Sequence, residues 1–106
     1  MPEARCDLCQ AARLTRWYHE DPTCWVADCE ICDVPMVVWR RHGTEPPAAD
    51  LAHMTAVLGR VAGERFGDYL LDTVRRNIPD HWHAHARPRG TAALHWWLRR
   101  HSGGPG

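Results

Sequence analysis

Three histidines alternate with small or apolar residues near the end of the chain, in the segment His81-Trp82-His83-Ala84-His85-Ala86. Successive side chains of a strand point to opposite faces, so this alternation predicts a strand with its tryptophan and alanines in the core. The imidazoles would then line one outward face, about 7 Å apart. Imidazole is both a frequent metal ligand and a nucleophile near neutral pH. The segment therefore predicts a metal site or a nucleophile with flanking helpers, and a half-buried strand with chance histidines is the alternative.

Four of the five cysteines form two Cys-x-x-Cys pairs, which are Cys6 with Cys9 and Cys29 with Cys32. Nineteen residues, 10–28, separate the pairs, a spacing within the range of four-cysteine zinc sites. Such a site has no open coordination position, so its zinc would be structural. One pair could instead bind the metal together with His42 and His81, and the spacing alone leaves both ligand sets open.

The length and charge of the chain predict a single domain. It has 106 residues, with 13 basic and 13 acidic side chains, so no net field draws it to nucleic acid or to a membrane. No apolar run has the length of a membrane span, and the N-terminus lacks an apolar signal region. We therefore expect a cytoplasmic protein, in which paired cysteines favour metal binding over disulfides. The domain is predicted over residues 1–101, with a flexible tail at 102–106.

The patterns along the chain predict an α+β domain, with about five antiparallel strands and one main helix. Strands are expected at 15–19, 23–28, 35–39, 69–74 and in the histidine segment, and a short helix at 91–100. The fifth cysteine, Cys24, would be a small buried residue on the second strand. The main helix is predicted at about 48–65, because its apolar residues recur at three- and four-residue steps: Leu51, Met54, Leu58 and Val61.

Five segments carry a further pattern, which in chain order are Cys6-x-x-Cys9, Trp17-Tyr18-His19-Glu20-Asp21, Trp25-Val26-Ala27-Asp28, residues 35–42, and His81-x-His83-x-His85. In this order they resemble the histidine-triad (HIT) family of nucleotide hydrolases and transferases, over residues 6–90. The first segment resembles the cysteine pair of zinc-containing members, and the last resembles the family signature. The chain departs from that signature at Arg87, and residues 77–80 replace the polar turn that usually precedes the triad.

The resemblance implies that His83 attacks the α-phosphate of a phosphoramidate, dinucleotide or nucleotidyl ester. A nucleotidyl-histidine forms and water then hydrolyses it. His81 and His85 would flank the nucleophile, stabilising phosphate charge or orienting the leaving group, and His42 would support the cluster unless zinc binds it. The nucleotide-binding residues that the resemblance implies are Trp25, Asp28 and His42, with the aspartate near the ribose.

Two other hypotheses compete with the enzyme. A catalytically inactive, zinc-stabilised HIT-like module could bind protein or nucleic acid through its basic C-terminal end, and salt would weaken its hold on phosphate. The arginines of that end are Arg87, Arg89, Arg99 and Arg100. A metal-dependent nuclease is less favoured, because Asp80 is the only carboxylate close to the histidines in sequence. Trp96 and Trp97 are predicted to form a homodimer contact or to cap the monomer core.

Overall fold

The computed structural model describes residues 15–29, 33–73 and 78–102. Its elements, in chain order, are β1 (Trp17–Glu20), β2 (Cys24–Asp28), β3 (Pro35–Trp39), α1 (Ala48–Arg65), β4 (Tyr69–Asp72), β5 (His83–Pro88) and α2 (Gly90–Ser102). The predicted bounds of β3 and α1 are confirmed. Ser102, which the sequence assigns to the tail, is the last residue of α2.

One antiparallel sheet organises these elements, with the strand order β1-β2-β3-β5-β4. Because β5 lies between β3 and β4, the chain leaves β3, forms α1, adds the edge strand β4 and returns through the sheet interior. This arrangement confirms the predicted α+β class, with five antiparallel strands and one main helix. It also places β5, which contains His83 and His85, in the interior of the sheet, paired with β3 on one side and β4 on the other.

The helix α1 covers one face of the sheet. Its buried residues recur at helical spacing and are Met54, Val57, Leu58, Val61 and Ala62. They pack on the inward residues of the strands, which include Val26, Val37, Ala84 and Ala86. Leu51 belongs to the predicted apolar stripe, yet it remains 38% exposed. The stripe therefore meets the sheet only from Met54 onwards.

A second apolar cluster lies on the opposite face of the sheet. It is formed by Trp25, Ala27, Met36 and Val38, all buried, with Trp17, Cys29 and Ile78 packed against them. The rings of Trp17 and Trp25 stack with centroids 4.6 Å apart and planes 8° from parallel. Both faces of the central strands are consequently buried, which explains why β3 is apolar along its whole length.

Candidate active site and metal-binding cluster

The strand β5 separates its alternating residues between the two faces, as the sequence predicts. Ala84 and Ala86 belong to the cluster beneath α1. His83 pairs with Val38 and His85 pairs with Met36 across the β3–β5 ladder, so both histidines share the face of the second cluster. That face is not outward as predicted, because the apolar residues around it are themselves buried. His83 and His85 are only 6% and 7% exposed.

A backbone carbonyl selects the tautomer of the neutral His83 ring. The Nδ1 atom lies 2.8 Å from the carbonyl oxygen of His81. A carbonyl oxygen only accepts, so Nδ1 must carry the hydrogen and donate it, which leaves Nε2 of the neutral ring with its lone pair. The rings of His83 and His85 meet edge-on, with centroids 5.5 Å apart and planes 78° apart.

His81 precedes β5 and is fully buried, contrary to the expectation that it lines an exposed strand face. Its Nε2 donates to the carbonyl oxygen of Trp39, the last residue of β3. Burial lowers the pKa of His81, and the hydrogen bond to the Trp39 carbonyl only partly opposes this effect. His81 is thereby held in place, and its own carbonyl oxygen orients His83.

His42, in the loop after β3, completes a group of four histidines. Its ring meets that of His81 edge-on, with centroids 5.4 Å apart. Its Nε2 lies 3.2 Å from a carboxylate oxygen of Asp80. The structure therefore brings together all four histidines that the sequence analysis assigns to catalysis. They form two ring pairs, His42 with His81 and His83 with His85, which the hydrogen bond from His83 to the His81 carbonyl connects.

The structure separates two of the residues implied to bind a nucleotide. Trp25 pairs with Val38, as His83 does, so it shares the face of the histidines. Asp28 lies on the other face, where its carboxylate oxygens accept the Tyr18 hydroxyl at 2.9 and 3.0 Å and lie 3.6 Å from Nε of Arg65. Burial, and then the bond and charge of Asp28, raise the pKa of Tyr18. Asp28 therefore supports α1 and does not join the histidines.

Of the four cysteines predicted to bind zinc, the described residues include only Cys29. Its backbone N–H donates to Val34 at 2.8 Å, and its carbonyl accepts from Asp33 at 2.9 Å. Asp33 adopts a left-handed backbone conformation, with φ of 58°. These bonds bring Asp33 and Val34 back to Cys29, the first residue of the second Cys-x-x-Cys pair. Cys6, Cys9 and Cys32 lie outside the described residues.

Acids of the β4 region pair with two of the four C-terminal arginines. Nε of Arg87 donates to Asp72 at 2.7 Å, and Nε of Arg89 lies 3.5 Å from an exposed carboxylate oxygen of Asp68. Arg99 is exposed on α2, as is Trp97 together with Leu94 and Leu98. The side chains of Arg100 and Trp96 lie outside the described part of the molecule.

A second group of metal-ligand side chains lies at the turn between β1 and β2. It contains His19, Asp21, Cys24 and His53, and one ligand atom from each lies within 4.8 Å of all the others. Sequence analysis assigned none of these residues a metal-binding role: Cys24 was expected as a buried strand residue, and His19 and Asp21 only as part of a segment of the family resemblance. The spacing His19-x-Asp21-x-x-Cys24 is a usable signal for three of the ligands. Nothing in the sequence connects His53, which lies on α1, to that turn.

Hydrogen bonding at this turn favours the charged form of Asp21 and the neutral form of Cys24. Burial opposes ionisation of Asp21, but bonds from His19, His53 and the backbone N–H groups of Cys24 and Thr23 outweigh it, and the pKa of Asp21 lies well below its usual range. Burial and the negative charge of Asp21 raise the pKa of the Cys24 thiol to about 12.

The described residues thus form an α+β domain with a buried histidine cluster on one sheet face and a mixed His/Asp/Cys cluster on the other. The chain matches no model of a known protein family, no curated protein and no solved structure. Among the described residues, neither helix is both long and apolar enough to span a membrane. The functional argument therefore depends on the geometry of the two clusters.

Proposed function

We propose that the protein is a HIT-like nucleotide hydrolase or nucleotidyl transferase, with His83 as its nucleophile. The observation that carries the proposal is the 2.8 Å bond between Nδ1 of His83 and the carbonyl oxygen of His81. A nucleophilic imidazole needs a neutral ring with a lone pair on one nitrogen, and a hydrogen bond donated by the other nitrogen selects that tautomer. A carbonyl does this without adding a charge that would repel a phosphate.

In the proposed reaction, Nε2 of His83 attacks the α-phosphorus of a nucleoside phosphoramidate, dinucleotide or nucleotidyl ester. The bond from phosphorus to the leaving group breaks, and the leaving group takes the bonding electrons and a proton from solvent, which the attacking water returns in the second step. Water then attacks the nucleotidyl-histidine, releasing the nucleotide and restoring the neutral ring. His85 stabilises the phosphate charge beside the nucleophile. His81 acts through His83, as a positioning residue, because its own Nε2 is engaged by Trp39.

A structural zinc accompanies this proposal. The two hydrogen bonds that bring Asp33 and Val34 back to Cys29, together with the spacing of the two Cys-x-x-Cys pairs, support the set Cys6, Cys9, Cys29 and Cys32. The 5.4 Å separation of the His42 and His81 rings supports the mixed set of one cysteine pair with these histidines. Zinc analysis of Cys29→Ser and His42→Gln separates the two sets, because only the variant that removes a true ligand should release this metal.

The proposal is tested by incubating the protein with an adenosine phosphoramidate and with a dinucleotide. Wild-type protein should release the mononucleotide, and intact mass spectrometry after a quench without acid should detect a nucleotidyl adduct. His83→Ala should show neither, whereas His95→Ala, which changes an exposed histidine of α2, should behave as wild type. If wild-type protein cleaves none of these substrates, or if His83→Ala retains the wild-type rate, the catalytic proposal is wrong.

A zinc-stabilised binding module is the second candidate function. The low exposure of His83 and His85 favours it, because a substrate phosphate has to reach an almost buried ring. Its nucleic-acid affinity would depend mainly on Arg99 and Arg100, since Asp72 and Asp68 pair with the two other arginines. A module of this kind should bind oligonucleotides with an affinity that falls steeply with salt, and should cleave no nucleotide.

A further inference from the structure

Two imidazoles converge on one carboxylate oxygen at the β1–β2 turn. Nε2 of His19 and Nε2 of His53 each lie 2.6 Å from the Oδ2 atom of Asp21. Sγ of Cys24 lies 3.9 Å from the same oxygen. The four side chains come from β1, the turn, the start of β2 and α1, so their convergence is a product of the tertiary fold.

The backbone presents this carboxylate in a defined orientation. The other oxygen of Asp21, Oδ1, accepts the N–H groups of Thr23 at 2.7 Å and Cys24 at 3.0 Å. The carbonyl of Asp21 accepts Nε of Arg40 at 2.6 Å. Because these bonds hold one carboxylate oxygen and the backbone, Oδ2 is directed towards the imidazoles and the thiol.

The donor set and its dimensions suit a four-coordinate transition-metal ion. Two imidazole nitrogens, one thiolate sulfur and one carboxylate oxygen are all ligands of zinc. Zinc bonds of about 2.0 to 2.3 Å in tetrahedral geometry separate the donor atoms by about 3.3 to 3.6 Å. The closest donor atoms here are 2.6 Å apart, and all four lie within 4.8 Å of one another. Zinc binding therefore changes most donor–donor distances by about an ångström or less.

We propose that His19, Asp21, Cys24 and His53 form a zinc site that fastens the β1–β2 hairpin to α1. All four positions of the tetrahedron are protein ligands, so the site is structural and has no open position for substrate. Because β1 has one neighbour among the described strands, a metal bridge to α1 adds a second attachment at this end of the sheet.

A cysteine nucleophile is a poorer explanation of the same residues. Cys24 is completely buried in the cluster beneath α1, so a substrate has no access to its sulfur. The nearest charge is the carboxylate of Asp21, which disfavours a thiolate unless a cation is present. A bound zinc ion supplies that cation and deprotonates the coordinating thiol.

Arg60 competes with the metal for His19. Its Nη2 donates to Nδ1 of His19 at 3.1 Å, which places the ring hydrogen on Nε2, the nitrogen that the metal requires. Zinc binding therefore moves this hydrogen to Nδ1 and displaces the guanidinium. Arg60 is exposed on α1 and can leave without disturbing buried residues.

The test uses the full chain and measures zinc per protein by mass spectrometry after dialysis against zinc at micromolar concentration. His53→Gln is the primary variant, since the side chain of His53 is 45% exposed and its removal leaves the core intact. We expect it to hold one zinc fewer than wild type, and His19→Gln to do the same. His95→Gln is the matched control, an exposed histidine on α2 that should retain the wild-type content.

Cobalt substitution identifies the sulfur ligand. Wild-type protein loaded with Co²⁺ should show a thiolate charge-transfer band. Cys24→Ser and His53→Gln should each lose the same fraction of the intensity of this band. This comparison isolates the site from any metal at the paired cysteines, which all three proteins retain. The proposal is overturned if His53→Gln and His19→Gln keep the zinc content and cobalt spectrum of wild type, because the cluster is then a hydrogen-bonded network around Asp21 alone.

Discussion

The two histidine clusters lie on opposite faces of one sheet and differ in what their rings contact. In the cluster of β5, His83 and His81 donate to backbone carbonyls, which set the tautomer and add no charge. At the β1–β2 turn, His19 and His53 both contact the carboxylate of Asp21. The two proposals, a nucleophile at β5 and a metal site at the turn, follow from this difference in the partner of the imidazole. A carbonyl leaves a lone pair for attack, whereas a carboxylate adds the negative charge that a cation requires.

Burial also distinguishes the clusters. His83 and His85 are nearly enclosed by the apolar residues of the second cluster. His53 is exposed, and the carboxylate of Asp21 is partly accessible. A small ion can therefore reach the turn from solvent, whereas a nucleotide requires movement around β5 before its phosphate meets His83.

The largest expected effect is on catalytic turnover, and it distinguishes the proposed nucleophile His83 from its neighbour His85. His83→Ala should lower turnover of a phosphoramidate by several orders of magnitude, because in the proposed mechanism no other group forms the covalent intermediate. His85→Ala should lower it by roughly 10² to 10⁴, the usual range for a helper. Steady-state rates measure both. Equal losses in the two variants would remove the distinction between nucleophile and helper.

The next effect concerns the helix that supplies His53. Met54 is fully buried, so Met54→Ala should lower the free energy of unfolding by about 2 to 5 kcal/mol. Leu51→Ala, one turn earlier and partly exposed, should cost clearly less. Urea denaturation provides both values. A larger loss at Leu51 would mean that α1 packs on the sheet along a different stripe.

A smaller effect tests whether the face of the β5 histidines is closed. Ala84 lies beneath α1 and Ala27 lies on the histidine face, and both are buried. Ala84→Leu and Ala27→Leu should each destabilise the fold by about 1 to 3 kcal/mol, because both sites are already filled. Thermal denaturation compares them. A neutral Ala27→Leu would show that this face opens readily, which would favour substrate access to His83.

The smallest effect is expected at Arg60. Arg60→Gln removes a guanidinium that holds the nitrogen arrangement opposed to metal binding. Zinc affinity should rise, by about fivefold at most, since exposed pairs of this kind contribute roughly 0.2 to 1 kcal/mol. Competition with a colorimetric chelator measures the change. Arg99→Gln, an exposed arginine of α2, is the control and should leave the affinity unchanged.

Local periodicity accounts for the parts of the molecule that sequence analysis predicted correctly. The alternation around β5 separates its alanines from His83 and His85, because successive strand residues face opposite ways whatever surrounds them. The helical spacing from Met54 to Val61 predicts α1 and its buried side for the same reason. The proximity of His42 to the triad histidines was expected from the family resemblance and from the alternative zinc ligand set, and the structure brings His42 and His81 together.

Other expectations depended on what packs across the sheet, which no local pattern records. The histidine face was predicted to be outward, but Trp25, Met36 and Val38 complete an apolar layer there. Asp28 was grouped with Trp25, although strand parity and the contacts with Tyr18 and Arg65 place its carboxylate beneath α1. The sequence shows which residues of a strand share a face, but it does not show which of the two faces packs against the helix.

The sequence by itself determined the order of the elements, the two residue sets of each strand and the candidate chemistry of imidazole and thiolate groups. These features follow from side-chain type and from the repeats of strand and helix. Only the tertiary structure decided that His81 is buried against Trp39, and that His53 meets His19 and Asp21. Such meetings depend on how α1 lies across the sheet, and the packing of many side chains sets that position together.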